Sequence, residues 1–360
     1  MKIRRVLLFL ILLVNIVISA QETPEKQFNV SGFAEVYYQY DSNNPVNNSR
    51  PNFIYSHHRN NEININLAFI KANYETEKLR ANVALATGTY MNANYSEEQG
   101  VLKNIYEANI GFKISKNKNI WIDAGVFPSH IGFESAVVKD NWTLTRSIAA
   151  ENSPYFETGA KISYTTNNGK WFLSGLILNG WQRIQQVEGN SLPSFGHQLT
   201  FTPNEKLTFN SSSFIGNDKP DGIRQMRYFH NLYGIYKINN RWAVRAGFDL
   251  GAEQKFKGSD AYNIWYTPVL IAKYSPTEKI SIAARGEYYN DKNGAKISTG
   301  TENGFQMLGY SLNFDYHILS NLLWRTEVRN LNNRDAVFLS RNTVLEKNSF
   351  TAVTSLSVGF

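Results

Sequence analysis

Between Trp242 and Leu250 the chain reads WAVRAGFDL. Trp242, Val244, Ala246, Phe248 and Leu250 fall on one face of an extended strand, Arg245 and Asp249 on the other. The same period runs through 280–289, where Ile280, Ile282, Ala284 and Tyr288 oppose Arg285 and Glu287. In 323–329, Trp324 and Val328 oppose Arg325, Glu327 and Arg329. A period of two predicts strands with one apolar face. Sixteen such runs are found, at about 28–41, 61–74, 79–91, 104–115, 119–128, 154–166, 170–182, 196–203, 206–216, 224–238, 241–253, 262–275, 279–291, 302–317, 320–331 and 348–360.

The connections alternate in length. Seven are short polar turns: ETEK (75–78), KNKN (116–119), NNGK (167–170), PNEK (203–206), INN (238–240), PTEK (276–279) and ILSN (318–321). Eight are longer, around 42–60, 92–103, 129–153, 183–195, 217–223, 254–261, 292–301 and 332–347. Sixteen antiparallel strands with both termini on one side need seven connections there and eight on the other. Short turns on one side and long loops on the other are the grammar of a transmembrane up-and-down β-barrel, with the short turns periplasmic. Rings cluster at the short turns: Tyr74, Tyr164, Phe201, Tyr236, Tyr274 and Tyr316 precede them, and Trp121, Trp171, Trp242 and Trp324 follow. Amphipathic rings prefer the membrane interface, so these ten are expected to form an inner aromatic girdle.

Composition agrees with this reading. Aromatics make up 14% of residues, yet mean hydropathy is −0.37, and beyond residue 20 no apolar run reaches the length of a spanning helix. Alternating strands reconcile the two facts. Residues 1–20, MKIRRVLLFLILLVNIVISA, read as a secretory leader cleaved after Ala20: Lys2, Arg4 and Arg5 precede an apolar run and small residues. Losing those three charges lowers the net charge from +7 to +4. With no block of basic residues, nucleic acid is not an expected partner. There is no cysteine, hence no disulfide frame or thiolate metal site. The expected organisation is a leader (1–20), a short periplasmic segment (21–27) and the barrel (28–360). The last strand, SFTAVTSLSVGF, places Phe350, Ala352, Thr354, Leu356, Val358 and Phe360 on one face. A terminal aromatic in phase with such a strand resembles the signal read by barrel-assembly machinery, so Phe360 is the candidate assembly residue.

The stretch 119–164 adds more specific features. It reads NIWIDAGVFPSHIGFESAVVKDNWTLTRSIAAENSPYFETGAKISY. The run AGVFPSHIGFE, then NWTLTRS, then PYFETG opening a strand resemble the OmpL-like putative β-barrel porins, the porin-2 family common in Bacteroidetes-type bacteria. That resemblance implies an integral protein of a Gram-negative outer membrane and passive transport of solutes. It supplies no substrate, cofactor or catalytic set.

Charge on the lipid face costs about 2–4 kcal/mol for Arg or Lys at mid-bilayer, so the charged strand positions are assigned to the lumen. The pore-lining candidates are Arg245, Asp249, Arg285, Glu287, Arg325, Glu327 and Arg329. Counted over all strands, Arg80, Lys113, Lys161, Arg227, Arg245, Arg285, Arg325 and Arg329 face Glu35, Glu107, Asp123, Glu157, Asp249, Glu253, Glu287, Asp315 and Glu327. Near balance predicts no strong ion preference. Sixteen strands leave room for an aqueous channel.

The loop 129–153 is the longest connection. Its Glu134, Lys139, Asp140, Arg146 and Glu151 are candidates for a charged constriction; a loop lying over the mouth, or in a subunit contact, is the alternative. The histidines, including the adjacent His57 and His58, lack metal-ligand spacing, and no catalytic motif occurs. No cofactor or enzymatic activity is expected. The expected function is a porin for small hydrophilic solutes or ions, with the bilayer, small polar solutes and the assembly machinery as partners and a homo-trimer as the assembly to look for. The class alternative is a non-conducting barrel acting as adhesin, receptor or anchor.

Overall fold

The computed structural model describes residues 27–360. The leader, and the short segment after it apart from Gln27, lie outside the described residues. Sixteen antiparallel strands close a barrel. They are β1 (Gln27–Asp41), β2 (Ile63–Glu75), β3 (Leu79–Thr87), β4 (Ile105–Lys113), β5 (Asn119–Pro128), β6 (Phe156–Thr165), β7 (Trp171–Leu178), β8 (Ser194–Asn204), β9 (Leu207–Gly216), β10 (Arg227–Lys237), β11 (Trp242–Gln254), β12 (Tyr262–Tyr274), β13 (Ile280–Asp291), β14 (Phe305–His317), β15 (Leu322–Asn333) and β18 (Asn348–Gly359). Each pairs with its neighbours in sequence, and β1 joins β18 at the seam, from Phe33 against Gly359 to Asp41 against Thr351. A two-residue hairpin, β16 (Phe338–Leu339) with β17 (Leu345–Glu346), sits in the last long loop. The loops also carry the short helices α1 (Thr89–Asn94) and α2 (Ile148–Glu151).

The strand read over 79–91 ends at Thr87. Gly88 takes φ 129°, a conformation open to glycine, and turns the chain into α1. Leu232, Leu270, Leu308, Leu312 and Val328 face outward and stay exposed, whereas Arg285, Glu287, Arg325, Glu327 and Arg329 face inward and are buried. An apolar belt of this kind suits a bilayer, not water.

At the rim of short turns, rings pair across strands as expected: Trp242 opposes Tyr274 with centroids 4.5 Å apart, and Trp171 stacks on Phe201 at 4.1 Å. Trp121 is the exception. Its register puts it on the inward face, beneath the Arg80 guanidinium at 4.3 Å, so it leaves the girdle. One polar island faces outward on β8–β10. His197 Nδ1 lies 2.5 Å from Ser213 Oγ, and His230 Nε2 lies 3.2 Å from Ser211 Oγ. These mutual hydrogen bonds lower the cost of polar groups at that depth.

The sequence reading is corrected on one point about the interior. It assigned apolar residues outward and a polar lumen inward. In the outer half of the barrel, Leu176, Leu178, Phe214, Phe229, Trp265, Tyr289, Phe305, Met307 and Leu331 point inward and are buried with loop residues Ile54, Ile131, Ile148, Trp181, Ile297 and Phe338. A second core is buried there because long loops fold into the lumen and offer apolar partners. Strand alternation alone cannot distinguish such a position from a lipid-facing one.

Candidate functional site: the loop-filled lumen

The segment 129–155 leaves β5 at the outer rim and descends inside the barrel. Its first anchor is His130. Nδ1 donates to Glu157 Oε2 at 2.7 Å, and Nε2 donates to the Ser213 carbonyl at 2.8 Å. Two acceptors facing one ring require both nitrogens to carry protons. Burial opposes that charge, but Glu157 and the carbonyl outweigh it and lift the imidazole pKa above its ordinary value. Gly196 makes the approach feasible: a Cβ there would stand 2.7 Å from His130 Nε2.

The loop then crosses to the opposite wall, where the strands present fixed charges. The Asn231 side-chain oxygen accepts from Gly132 N at 3.2 Å, and Arg245 donates to the Phe133 carbonyl at 3.2 Å. The Arg245 guanidinium lies 4.4 Å from the Trp142 ring centroid. Arg325 is held by Asp315 at 2.7 and 3.0 Å and donates to the carbonyls of Val138 and Asn141. Arg285 donates to the Thr145 carbonyl at 2.6 Å and to Thr143 Oγ1 at 3.1 Å, and reaches Glu327 at 2.9 Å. Glu327 accepts from Thr145 N and Oγ1. Glu287 accepts from Ile148 N at 2.7 Å and pairs with Arg329 at 2.5 Å. These wall charges therefore bind the loop backbone, which carries donors and acceptors at every residue.

Of the five charged loop candidates, three turn into the loop's own framework. Glu134 accepts from Ser147 N at 3.2 Å and, in a short contact, from Ser147 Oγ. Burial pushes its carboxyl pKa up, against the pull of nearby Arg285 and Ser147. Ser147 also caps α2, accepting from Ala150 N. Arg146 pairs with Glu151 at 3.0 Å and lies 3.5 Å from the Tyr155 ring centroid and 4.7 Å from that of Tyr90. Burial disfavours the Glu151 carboxylate, but Arg146 and the amides of Tyr55 and Ser56 hold its pKa below the ordinary value. Through those amides the loop is tied to the first outer loop. Lys139 and Asp140 are different. They pair at 2.9 Å, are about half exposed, and border a cavity of about 460 Å³ with His317, Asn321 and Phe360 at the short-turn end of the barrel. The loop thus runs from the outer rim to the inner one. The five residues do not converge on one ring.

All seven strand candidates face inward, and each is buried. Asp249 accepts from Asn231 at 2.5 Å. The uncharged partners were not legible: Thr143 and Thr145 lie in the loop, and Asn231 and Asn313, whose Oδ1 accepts from Leu144 N at 3.0 Å, stand on inward strand faces that give no sign that a loop will reach them. His57 was set aside as a poor metal ligand. Its Nε2 lies 3.1 Å from fully buried Glu35, and Asn66 donates to the same carboxylate, so it pins the first outer loop to β1. At the outer mouth a cavity of about 300 Å³ is lined by Asn52, Phe53, Tyr55, Asn152, Lys296 and Val337. At the seam, Phe360 exchanges backbone hydrogen bonds with Gly32 at 3.0 and 2.7 Å. No group of His, Cys, Asp and Glu fit to hold a metal occurs among the described residues.

A sequence profile of the family described as putative beta-barrel porin-2, OmpL-like, matches residues 27–360. No curated protein matches the chain. Among solved structures the barrel is similar to an anion-selective porin from Comamonas acidovorans, at 11% identity and a TM-score of 0.62, over 93% of this chain and 100% of that one. It is also similar to a trimer form of OmpT, an outer membrane protein of Vibrio cholerae, at 10% identity and a TM-score of 0.59, over 93% and 99%. A third similar structure is the outer membrane channel DcaP of Acinetobacter baumannii, at 10% identity and a TM-score of 0.58, over 95% and 99%. At such identities the likeness is one of fold.

Proposed function

The chain belongs to the OmpL-like family of putative β-barrel porins, porin-2, and from that premise we propose that it lets small hydrophilic solutes or ions diffuse across the outer membrane, with the segment 129–155 as a fixed constriction. The observation that carries this reading is the loop's seat: a polar backbone bound along the whole lumen by wall charges that fully packed strands would not need. Magnitudes favour a fixed element over a swinging gate. Ile131, Val138, Leu144 and Ile148 are each buried; at about 1.5–3 kcal/mol apiece their burial far exceeds thermal energy. Solutes then pass beside the seated loop, which limits them to small species. Lys139 and Asp140 are the loop charges placed to meet them; Arg146 and Glu151 hold the shape. Passage requires no cofactor and no chemical step. Assembly through Phe360 and association into a homo-trimer belong to the same reading.

Single-channel conductance of the refolded protein tests it. The wild type should give small, steady, ohmic steps, and a variant shortened across 136–148 should give larger ones. Equal steps from both would remove the loop from the role. One observation favours a second reading, a non-conducting barrel acting as adhesin, receptor or anchor: the apolar core in the outer half of the lumen. Silence from both folded, inserted proteins would support it.

A further inference from the structure

The charges of the lumen are unevenly spent. On β13–β15 and the loop, Arg285, Arg325 and Arg329 are consumed by Glu134, Glu287, Glu327 and Asp315, all of them buried. The opposite wall differs. There Lys71 and Arg80 keep 24% and 31% of their side chains exposed, inside the periplasmic half of the barrel. Lys71 pairs with Glu107 at 2.5 Å, and Arg80 pairs with Asp123 at 2.6 and 2.5 Å. With both carboxylates engaged, Lys161 on β6 and Lys113 on β4 have no carboxylate within ion-pair distance among the described residues. Lys161 Nζ lies 4.9 Å from the Phe127 ring centroid and borders a cavity of about 290 Å³ with Arg80, Glu107, Trp121, Asp123 and Phe127. This wall carries Lys71, Arg80, Lys113 and Lys161 against Glu107, Asp123 and Glu75, which stands opposite Arg80, while Glu157 is taken by His130, so the cations exceed the remaining anions by one.

We propose that this wall is an anion site, with Lys161 at its centre and Arg80 and Lys113 beside it, and that it makes the pore prefer small anions such as chloride or a short carboxylate. Unpaired charge facing water between low-dielectric walls concentrates counter-ions. The near balance counted over the whole lumen does not apply, because the solute meets only the wall that water reaches. The inference about selectivity rests on the porin reading; the site itself does not.

Two measurements separate them. The first is reversal potential under a potassium chloride gradient. The wild type should prefer chloride, Lys161→Gln should weaken the preference, and Lys161→Glu should carry the reversal potential across zero. The second needs no conduction: quenching of tryptophan fluorescence by iodide or by caesium in the folded protein. The emission lost in a Trp121→Phe variant should be quenched more by iodide, and Lys161→Glu should invert that order. Equal quenching by the two ions, unmoved by Lys161→Glu, would overturn the site. Conduction without anion preference, or with one that Lys161→Glu leaves unchanged, would overturn the selectivity. A silent bilayer with iodide-preferred quenching would retire the diffusion reading and leave the anion site standing.

Discussion

His130 joins two strands through one ring, and its charge decides whether the join holds. Its pKa is raised in the folded protein, above an unfolded value of about 6.5. The stabilisation is therefore fully present below about pH 6.5 and is lost as pH rises through the raised folded value. In urea unfolding, the difference between wild type and His130→Gln should be larger at about pH 6 than at about pH 9; a difference independent of pH would refute the charged-ring account. Gly196 belongs to the same contact. A methyl group there meets both His130 and the Ser213 carbonyl, so Gly196→Ala should cost about 1–3 kcal/mol, as overpacking does. Arg285 is a sharper case. Removing it as Arg285→Met leaves Glu134, Glu287 and Glu327 short of a partner at near-zero exposure. The expected loss is about 3–5 kcal/mol, read as a lower urea midpoint, with faster amide exchange at Thr145 and Ile148.

The strands were legible because the lipid enforces their pattern. Thirteen residues of β14 alternate outward Leu308, Tyr310 and Leu312 with inward Met307, Ser311 and Asn313. Period and turn chemistry located β5 at its observed bounds and most other strands within a few residues. The end of β3 was misjudged because TYMNAN reads equally well as alternation, and Gly88 gave the only hint of a turn. Facing was legible for charges and not for apolar residues, since Trp265 inside and Tyr266 outside look alike in sequence. One substitution measures the facing directly. Leu312→Arg places a cation on the lipid side and should cost about 2–4 kcal/mol in unfolding from lipid vesicles, whereas Ser311→Arg, one residue away, faces the lumen and should not incur that lipid-side cost.

At the scale of the molecule, the barrel is a wall around a second folded layer. The closed ring of strands follows from counting turns, but the filling does not, because no local pattern tells a loop that stands in solvent from one that turns inward. That loop 129–153 was long and charged was legible; that Arg146 and Glu151 would be spent on Tyr55, Ser56 and Tyr90 depends on contacts distant in sequence. The depth of the loop can be tested chemically, since the native chain has no cysteine. A Lys139→Cys variant should react slowly with a membrane-impermeant maleimide added to intact cells, and quickly once the periplasm is opened. Asn342→Cys, in the last outer loop, should react quickly in both. Rapid labelling of Lys139→Cys from outside would place the tip at the outer surface.

The depth of 129–155 also bears on how natural variants of this barrel diverge. A segment seated inside the barrel wall answers, over its buried residues, to the same packing demands as a protein core, while the loops above it answer mainly to whatever the cell meets outside. Val46, Phe256 and Val344 stand exposed on outer loops and can change without disturbing a neighbour. Antibodies, phage and proteases would find their targets there, and drift should collect there. AGVFPSHIGFE, by contrast, turns Val126, Phe127, His130, Ile131 and Glu134 into the interior, so most of the stretch that carries the family's likeness is out of the outside world's reach.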